Sequence, residues 1–245
     1  LDYINTGRAA AAPKRHSGGE AASVEAVRKT LVKMTPYDSG VQAVSELLAS
    51  WGTDPLDDGR GEGGASGGVD LESIAAGRGL RYVALSTGLP LVEIMDLPLI
   101  IEVKDGGDPP RYLFVERLTE ERVVVRLERK NVVFRRADLG DLWNGNVHLL
   151  WRDARRLAAS LAPGNKGPAV SRLQSLMREL GLFSARVSGV YDDATEDAIG
   201  FYQTSKGMTP NGIAGHVTQL LLSNDLPGNR RPALGSRSAA GEQGG

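Results

Sequence analysis

Ser39, three histidines and a group of clustered carboxylates are the residues of this 245-residue chain whose types could do chemistry. Ser39 stands in Tyr37-Asp38-Ser39-Gly40, a turn-like stretch just ahead of an apolar helical pattern. A serine hydroxyl placed there becomes a nucleophile only if a general base lies within hydrogen-bond reach. The same Ser39, or Asp38, could instead cap the helix by accepting a backbone N–H. The candidate bases are His16, His148 and His216. His16 falls in a stretch poor in large apolar residues. His148 lies in Asn-Val-His-Leu-Leu-Trp, where apolar flanks read as a packed core or edge strand rather than a catalytic base. The chain has no cysteine, which excludes thiolate nucleophiles, disulfides and thiolate metal sites. Asp54, Asp57, Asp58 and Glu62 crowd a glycine-rich loop without the alternating ligand spacing of an EF-hand. They read as a solvated loop, so neither a metal nor another cofactor is expected. Trp51, Trp143 and Trp151 could form a sugar platform, but their positions on amphipathic elements read as core.

Hydrophobic content of 41% and charged content of 24% describe an ordinary globular chain, and a formal net charge of -1 supplies no field for nucleic acid. The longest apolar run, 97–103, is interrupted by Pro98 and Glu102 and falls far short of the roughly 20 residues a membrane helix needs. Residues 1–27 hold few large apolar side chains and read as a flexible linker. The chain opens on Leu1 with no signal-peptide pattern and is expected to be part of a longer polypeptide.

From residue 28 the pattern changes. Val41, Val44, Leu47, Leu48 and Trp51 recur at helical spacing, closed by Gly52. A short helix capped by Asp70 follows the 53–68 loop. Next come a strand at 81–85 and a second short helix at 88–96. The period then shortens to that of strands at 99–103, 112–118, 122–127 and 131–135, joined by short polar turns such as Asp105-Gly106-Gly107. Asp138 is placed to cap a short helix, and 147–151 is a last strand. Residues 28–153 therefore predict an α+β domain with an antiparallel sheet. Residues 154–163 read as a connection.

The stretch 164–224 carries three helical patterns and two glycine turns. Val170, Leu173, Leu176, Met177 and Leu180 form the apolar face of the first helix, ended by Gly181. The turn Ser188-Gly189-Val190-Tyr191-Asp192 leads into a second helix, capped by Asp192 or Asp193, with Ala194, Ala198, Phe201 and Tyr202 available for its core face. Asn211-Gly212 suits a turn with positive φ. The third helix carries Val217, Leu220 and Leu221. Residues 225–245, rich in Gly, Pro, Ser and Arg, read as a disordered tail.

Several spaced motifs resemble known families. Asp38-Ser39-Gly40, Leu97-Pro98-Leu99-Ile100, Arg111-Tyr112-Leu113-Phe114-Val115 and Trp143-Asn144-Gly145 are similar to motifs of the papain-like cysteine peptidases that cut double-glycine leaders from bacteriocins. That resemblance implies a papain-like fold without its catalytic pair. Ser39 stands where the cysteine would be, and Arg111 where the histidine would be. A guanidinium stays protonated and cannot act as a base. It could pair with a carboxylate of a peptide held in the cleft without cutting it.

The stretch 164–224 resembles the peptidoglycan-binding module of bacterial cell-wall hydrolases. The resemblance is carried by Gly167, Val170, Leu173-Gln174, Leu180-Gly181, Gly189, Tyr191-Asp192, Thr195, Ala198-Ile199, Phe201, Gln203, Gly207-Met208, Asn211-Gly212, Gly215 and Thr218. Ser188 and Asn211 depart from the family's aspartates, and Tyr202 reads as an insertion. The resemblance implies a small three-helix domain whose glycan contacts come from Tyr191, Asp192, Thr195, Tyr202, Gln203, Asn211 and Thr218. Tyr191 could equally fill the core. In combination, the two units resemble the periplasmic part of the general secretion pathway protein A family. This implies a non-enzymatic, peptidoglycan-binding scaffold in the periplasm. The full-length protein would be anchored in the inner membrane and would help to assemble or position an outer-membrane secretin. A peptidase or wall hydrolase acting through Ser39 is the alternative. Oligomeric state stays open.

Overall fold

The computed structural model describes residues 22–56, 70–104, 107–153, 155–157 and 160–235. The stretch 1–21 with His16, the loop carboxylates Asp57, Asp58 and Glu62, the turn residues Asp105 and Gly106, and 236–245 lie outside the described residues.

The fold is α+β, as expected: helices and an antiparallel sheet, followed by a helical module. Helix α1 (Val24–Val32) begins inside the stretch read as linker. Ser23 caps it, and Val27 and Leu31 are buried, so two apolar side chains one turn apart are enough to dock it. Helix α2 (Pro36–Ser50) starts earlier than the apolar spacing suggests. Its cap is Thr35, not Asp38 or Ser39. The Thr35 hydroxyl accepts the Asp38 N–H at 3.0 Å and donates to the Asp38 carboxylate at 2.7 Å, with Pro36 in the first turn. Helix α3 (Leu71–Gly77) is capped by Asp70 as predicted.

Strands β1 (Arg81–Ser86), β2 (Leu99–Val103), β3 (Tyr112–Leu118), β4 (Arg122–Leu127), β5 (Lys130–Arg135) and β6 (Trp143–Trp151) form one sheet of order β1-β6-β2-β3-β4-β5. The β2-to-β5 part is the predicted meander. Strand β6 is longer than expected and inserts between β1 and β2, which makes it central. Helix α4 (Leu89–Met95) joins β1 to β2 and ends on Asp96 in the left-handed region, φ 47. Helix α5 (Leu139–Leu142) precedes β6, but Asp138 does not cap it with its side chain. Its carboxylate instead accepts from Nη2 and Nε of Arg135, at 2.8 and 2.9 Å. Helix α2 packs on β3, β2 and β6, and Leu47, Leu48, Ile100 and Phe134 are buried in the core. Trp51, Trp143 and Trp151 are buried in the same core and offer no sugar platform.

The module comprises α6 (Pro168–Glu179), α7 (Asp193–Ser205) and α8 (His216–Asp225). The connection before it is partly packed: Leu157 and Leu161 are buried, and Leu161 forms a β-bridge with Ala214. The expectation of a structureless tail from residue 225 fails over 225–235. Asp225 ends α8, Leu226 and Leu234 are buried, and the backbone of Leu234 bonds to Leu118 and Asp96.

Candidate functional site

Two places invite a functional reading: the α2–β3 junction around Ser39, and the turns of the C-terminal module.

Ser39 lies inside the first turn of α2 and is 1% exposed. Its hydroxyl donates to the Pro36 carbonyl at 2.8 Å and accepts the Tyr112 N–H at 3.2 Å. Both roles of the oxygen are thus engaged in stitching α2 to β3. Arg111 directly precedes Tyr112 at this junction. Its guanidinium, however, turns to the end of α1: Nε donates to the Met34 carbonyl at 2.8 Å and Nη2 to the Val32 carbonyl at 3.3 Å. These are the carbonyls a helix C-terminus leaves without intrahelical partners, at the negative end of its dipole.

The sequence reading missed a polar cluster on the same face of the sheet. His148, on central β6, has both ring nitrogens engaged. Nδ1 lies 2.7 Å from the Tyr82 hydroxyl, and Nε2 lies 3.1 Å from Glu102. The second Glu102 oxygen accepts from the amides of Asn144 and Asn146 at 2.9 and 2.8 Å. The Tyr112 ring meets His148 edge-on, 5.5 Å between centroids. Burial pushes His148 below the ordinary imidazole value, against the pull of Glu102. Burial would raise Glu102, but the two asparagine amides and His148 outweigh it and hold the carboxyl low. Burial, with the charges of Tyr112 and Glu102, lifts Tyr82 to about 12. His148 is therefore a neutral core residue fixed by two partners. With both ring nitrogens held by Tyr82 and Glu102, neither is bonded to Ser39, whose hydroxyl is held by Pro36 and Tyr112. The available signal was a set of polar residues at alternating, same-face positions in otherwise apolar strands.

A titration follows from this. The unfolded chain binds a proton at His148 near the ordinary value of 6.5, and the folded chain only below it. Stability is therefore lost as pH falls through that window. Melting temperature should fall between pH 7.5 and 5.5, and His148→Gln should flatten the slope. An unaltered slope in the variant would assign the titration to another group.

In the module, two turns repeat one design. Gln174 on α6 is fully buried. Its amide nitrogen donates to the Val190 carbonyl and the Thr195 hydroxyl, both at 2.9 Å. Its oxygen accepts the N–H groups of Ser188 and Gly189 at 3.0 and 2.9 Å. Gln203 on α7 does the same for the second turn. Its nitrogen donates to the Ile213 carbonyl and the Thr218 hydroxyl at 2.9 and 3.1 Å, and its oxygen accepts from Asn211 and Gly212 at 2.9 and 3.1 Å. Ser188-Gly189-Val190 with Thr195 thus superposes in role on Asn211-Gly212-Ile213 with Thr218. Both glycines have positive φ, 71 and 64, and a Cβ at Gly212 would lie 2.5 Å from the Glu196 Cγ. Tyr191 ties the turns together, donating to the Gly212 carbonyl at 2.6 Å.

Of the seven contact candidates, Tyr191, Thr195, Tyr202, Gln203 and Thr218 are buried and hold the turns or the core. Asp192 and Asn211 face solvent. Asp192 caps α7, and its bonds from Thr195 hold its carboxyl below the usual range. Asn211 Oδ1 accepts from the Ile213 N–H at 3.0 Å. The aromatic assignment on α7 also needs correcting. Tyr202 is 2% exposed and donates to Asp225 at 2.8 Å, whereas Phe201 is 72% exposed. Tyr202 is therefore the core aromatic before Gln203 and not an insertion. The groups missed by the sequence reading are the exposed apolar ones at equivalent turn positions, Val190 and Ile213.

None of the curated proteins matches the chain. Among solved structures, it is similar to the periplasmic domain of the EpsAB fusion protein of the Vibrio vulnificus type II secretion system. Identity is 19% and TM-score 0.45, over 79% of this chain and 81% of that one. The peptidase domain of Streptococcus ComA is similar over 49% of this chain and 94% of its own, at 16% identity and TM-score 0.37. The SleB N-terminal domain is similar over 26% and 89%, at 29% identity and TM-score 0.26. The twin-turn module is the part of the chain that matches a family model, over residues 166–222, and that model is described as "Putative peptidoglycan binding domain".

Proposed function

We propose that this chain is a non-catalytic, peptidoglycan-binding scaffold of the periplasm that serves a secretion system by helping to assemble or place its outer-membrane secretin. The observation that carries the reading is the family match of residues 166–222. The state of the α2–β3 junction supports the absence of catalysis. Ser39 is committed to Pro36 and Tyr112, Arg111 to Met34 and Val32, and His148 to Tyr82 and Glu102. Among the described residues no side-chain base is bonded to the Ser39 hydroxyl, and a hydroxyl without such a base does no acyl chemistry.

Binding falls to the exposed crest of the twin turns. Val190 and Ile213 offer aliphatic contact, and Asn211 and Asp192 offer polar atoms beside them. The five buried candidates act as positioning residues beneath that crest. The double variant Val190→Asp/Ile213→Asp should keep its circular dichroism spectrum and lose at least about tenfold in affinity for purified sacculi in a sedimentation assay. Undiminished sedimentation would remove the crest as the wall contact. Peptide or wall hydrolysis abolished by Ser39→Ala would overturn the non-catalytic reading.

A further inference from the structure

We infer that residues 226–235 form a clasp that docks on the first domain and fixes the C-terminal module to it as one body. The docking surface is the corner where α4 ends. Asp96 adopts a left-handed conformation there, which turns its carbonyl and carboxylate toward the same incoming segment. Arg231 Nη1 donates to the Asp96 carbonyl at 2.7 Å, and its two terminal nitrogens lie 3.4 and 3.3 Å from the carboxylate. The ion pair is well shielded, with side-chain exposures of 17% and 8%. Three residues on, the Leu234 N–H donates to the Asp96 carbonyl at 3.3 Å, and the Gly235 N–H donates to its carboxylate at 3.1 Å. The Leu234 carbonyl accepts the Leu118 N–H at 3.0 Å, at the end of β3.

Leu234 is itself fully buried. The occupant is thus read in three ways: by a charge at Arg231, by an apolar side chain at Leu234, and by backbone pairing on both sides of it. Gly235 fits because it adopts φ 75, a left-handed conformation that glycine takes without a Cβ penalty.

The module end of the clasp is also held. Asn224 at the end of α8 donates to the Met95 carbonyl at 2.8 Å, Leu226 is buried, and Asn229 donates to the Ser223 carbonyl at 2.6 Å. Ahead of the module, Arg155 pairs with Glu179, and Arg172 donates to the Arg156 carbonyl at 3.0 Å. The module is therefore gripped from the chain before it and the chain after it. If the wall-binding reading holds, a sacculus-bound module presents the first domain in one fixed orientation. The clasp itself needs no wall ligand.

The test exploits the absence of native cysteine. Cysteines introduced in the full chain at exposed Lys130 on β5 and Asp197 on α7 take spin labels, one on each unit. The expected result is a single narrow distance distribution without peptidoglycan. In the Leu234→Asp background the distribution should broaden, and the Leu118 amide should exchange at least about tenfold faster. Arg231→Ala provides the same reading should Leu234→Asp fail to fold. A broad distribution in the parent chain would overturn the clasp, as would an unchanged narrow one in the folded variant. Because no sacculus is present, the result is separate from any failure of wall binding.

Discussion

Gln203→Leu should destabilise the C-terminal module by about 2–5 kcal/mol, and Gln174→Leu should destabilise it too. Leucine fills much the same volume, so the loss comes from the groups left behind. At Gln203, the Gly212 N–H and the Thr218 hydroxyl lose their partner in a buried setting, while Asn211 and Ile213 sit where water can replace the lost bonds. Each buried polar group left unsatisfied costs about 1–3 kcal/mol. At Gln174 the Gly189 N–H is the equivalent group, while the Thr195 hydroxyl loses the amide donor but keeps its bond to Asp192. A unit of this size has only about 3–9 kcal/mol to lose, at 0.05–0.15 kcal/mol per residue. The substitution therefore takes most of the module's stability, although no charge and little packing is removed. Hydrogen exchange of the α7 and α8 amides reads the loss directly. Asp197→Asn, on the exposed face of α7, should stay within about 0.5 kcal/mol of the parent. A loss at both Gln174 and Gln203 is what the repeated design demands. A near-neutral Gln203→Leu would show that the amide is not the keystone of its turn.

The parts of this molecule that were legible are those written locally. Strands β3 and β4 were bounded correctly because apolar residues run between polar turns. The module was legible through its glycines and caps, whose φ values and hydrogen bonds are set within a few residues. The face of α7 could have been read more closely. Thr195, Ile199, Tyr202 and Gln203 share one side at helical spacing, which leaves Phe201 on the other. What stayed hidden depends on distant partners. The insertion of β6 between β1 and β2 is a choice of topology, and it alone brings Tyr82, Glu102 and His148 together from three strands. Residues 226–235 look like a tail because their large apolar residues are few and the last of them, Leu234, is held by Leu118 and Asp96, more than a hundred positions earlier. Ser39 was misread as a cap because the true signal, Thr35-Pro36 with Asp38, sits ahead of the apolar run.

Arg111→Glu should cost the first domain about 2–4 kcal/mol. The guanidinium makes two charge-assisted bonds to the carbonyls of Met34 and Val32, and bonds of that kind contribute about 1.5–3 kcal/mol each before solvent exposure is discounted. A carboxylate at the same place would face those carbonyls and the negative end of α1. Helix α1 then loses its tie to β3, although Val27 and Leu31 still favour docking and Arg28 still reaches the Asp141 carbonyl. Arg111→Lys keeps the charge but presents a compact ammonium in place of a planar fork, so it should fall between the parent and Arg111→Met. The predicted stability order in urea is parent, Lys, Met, Glu. The same series separates two uses of the residue. If Arg111 is a splint for the α1–α2 corner, stability follows the order and Ser39→Ala adds a further, smaller loss through the Tyr112 N–H. If its main use were to hold the carboxylate of a bound peptide, Arg111→Glu would stay within about 0.5 kcal/mol of the parent while peptide binding collapsed. The geometry favours the splint, because the guanidinium is already aimed at two main-chain carbonyls at the end of α1.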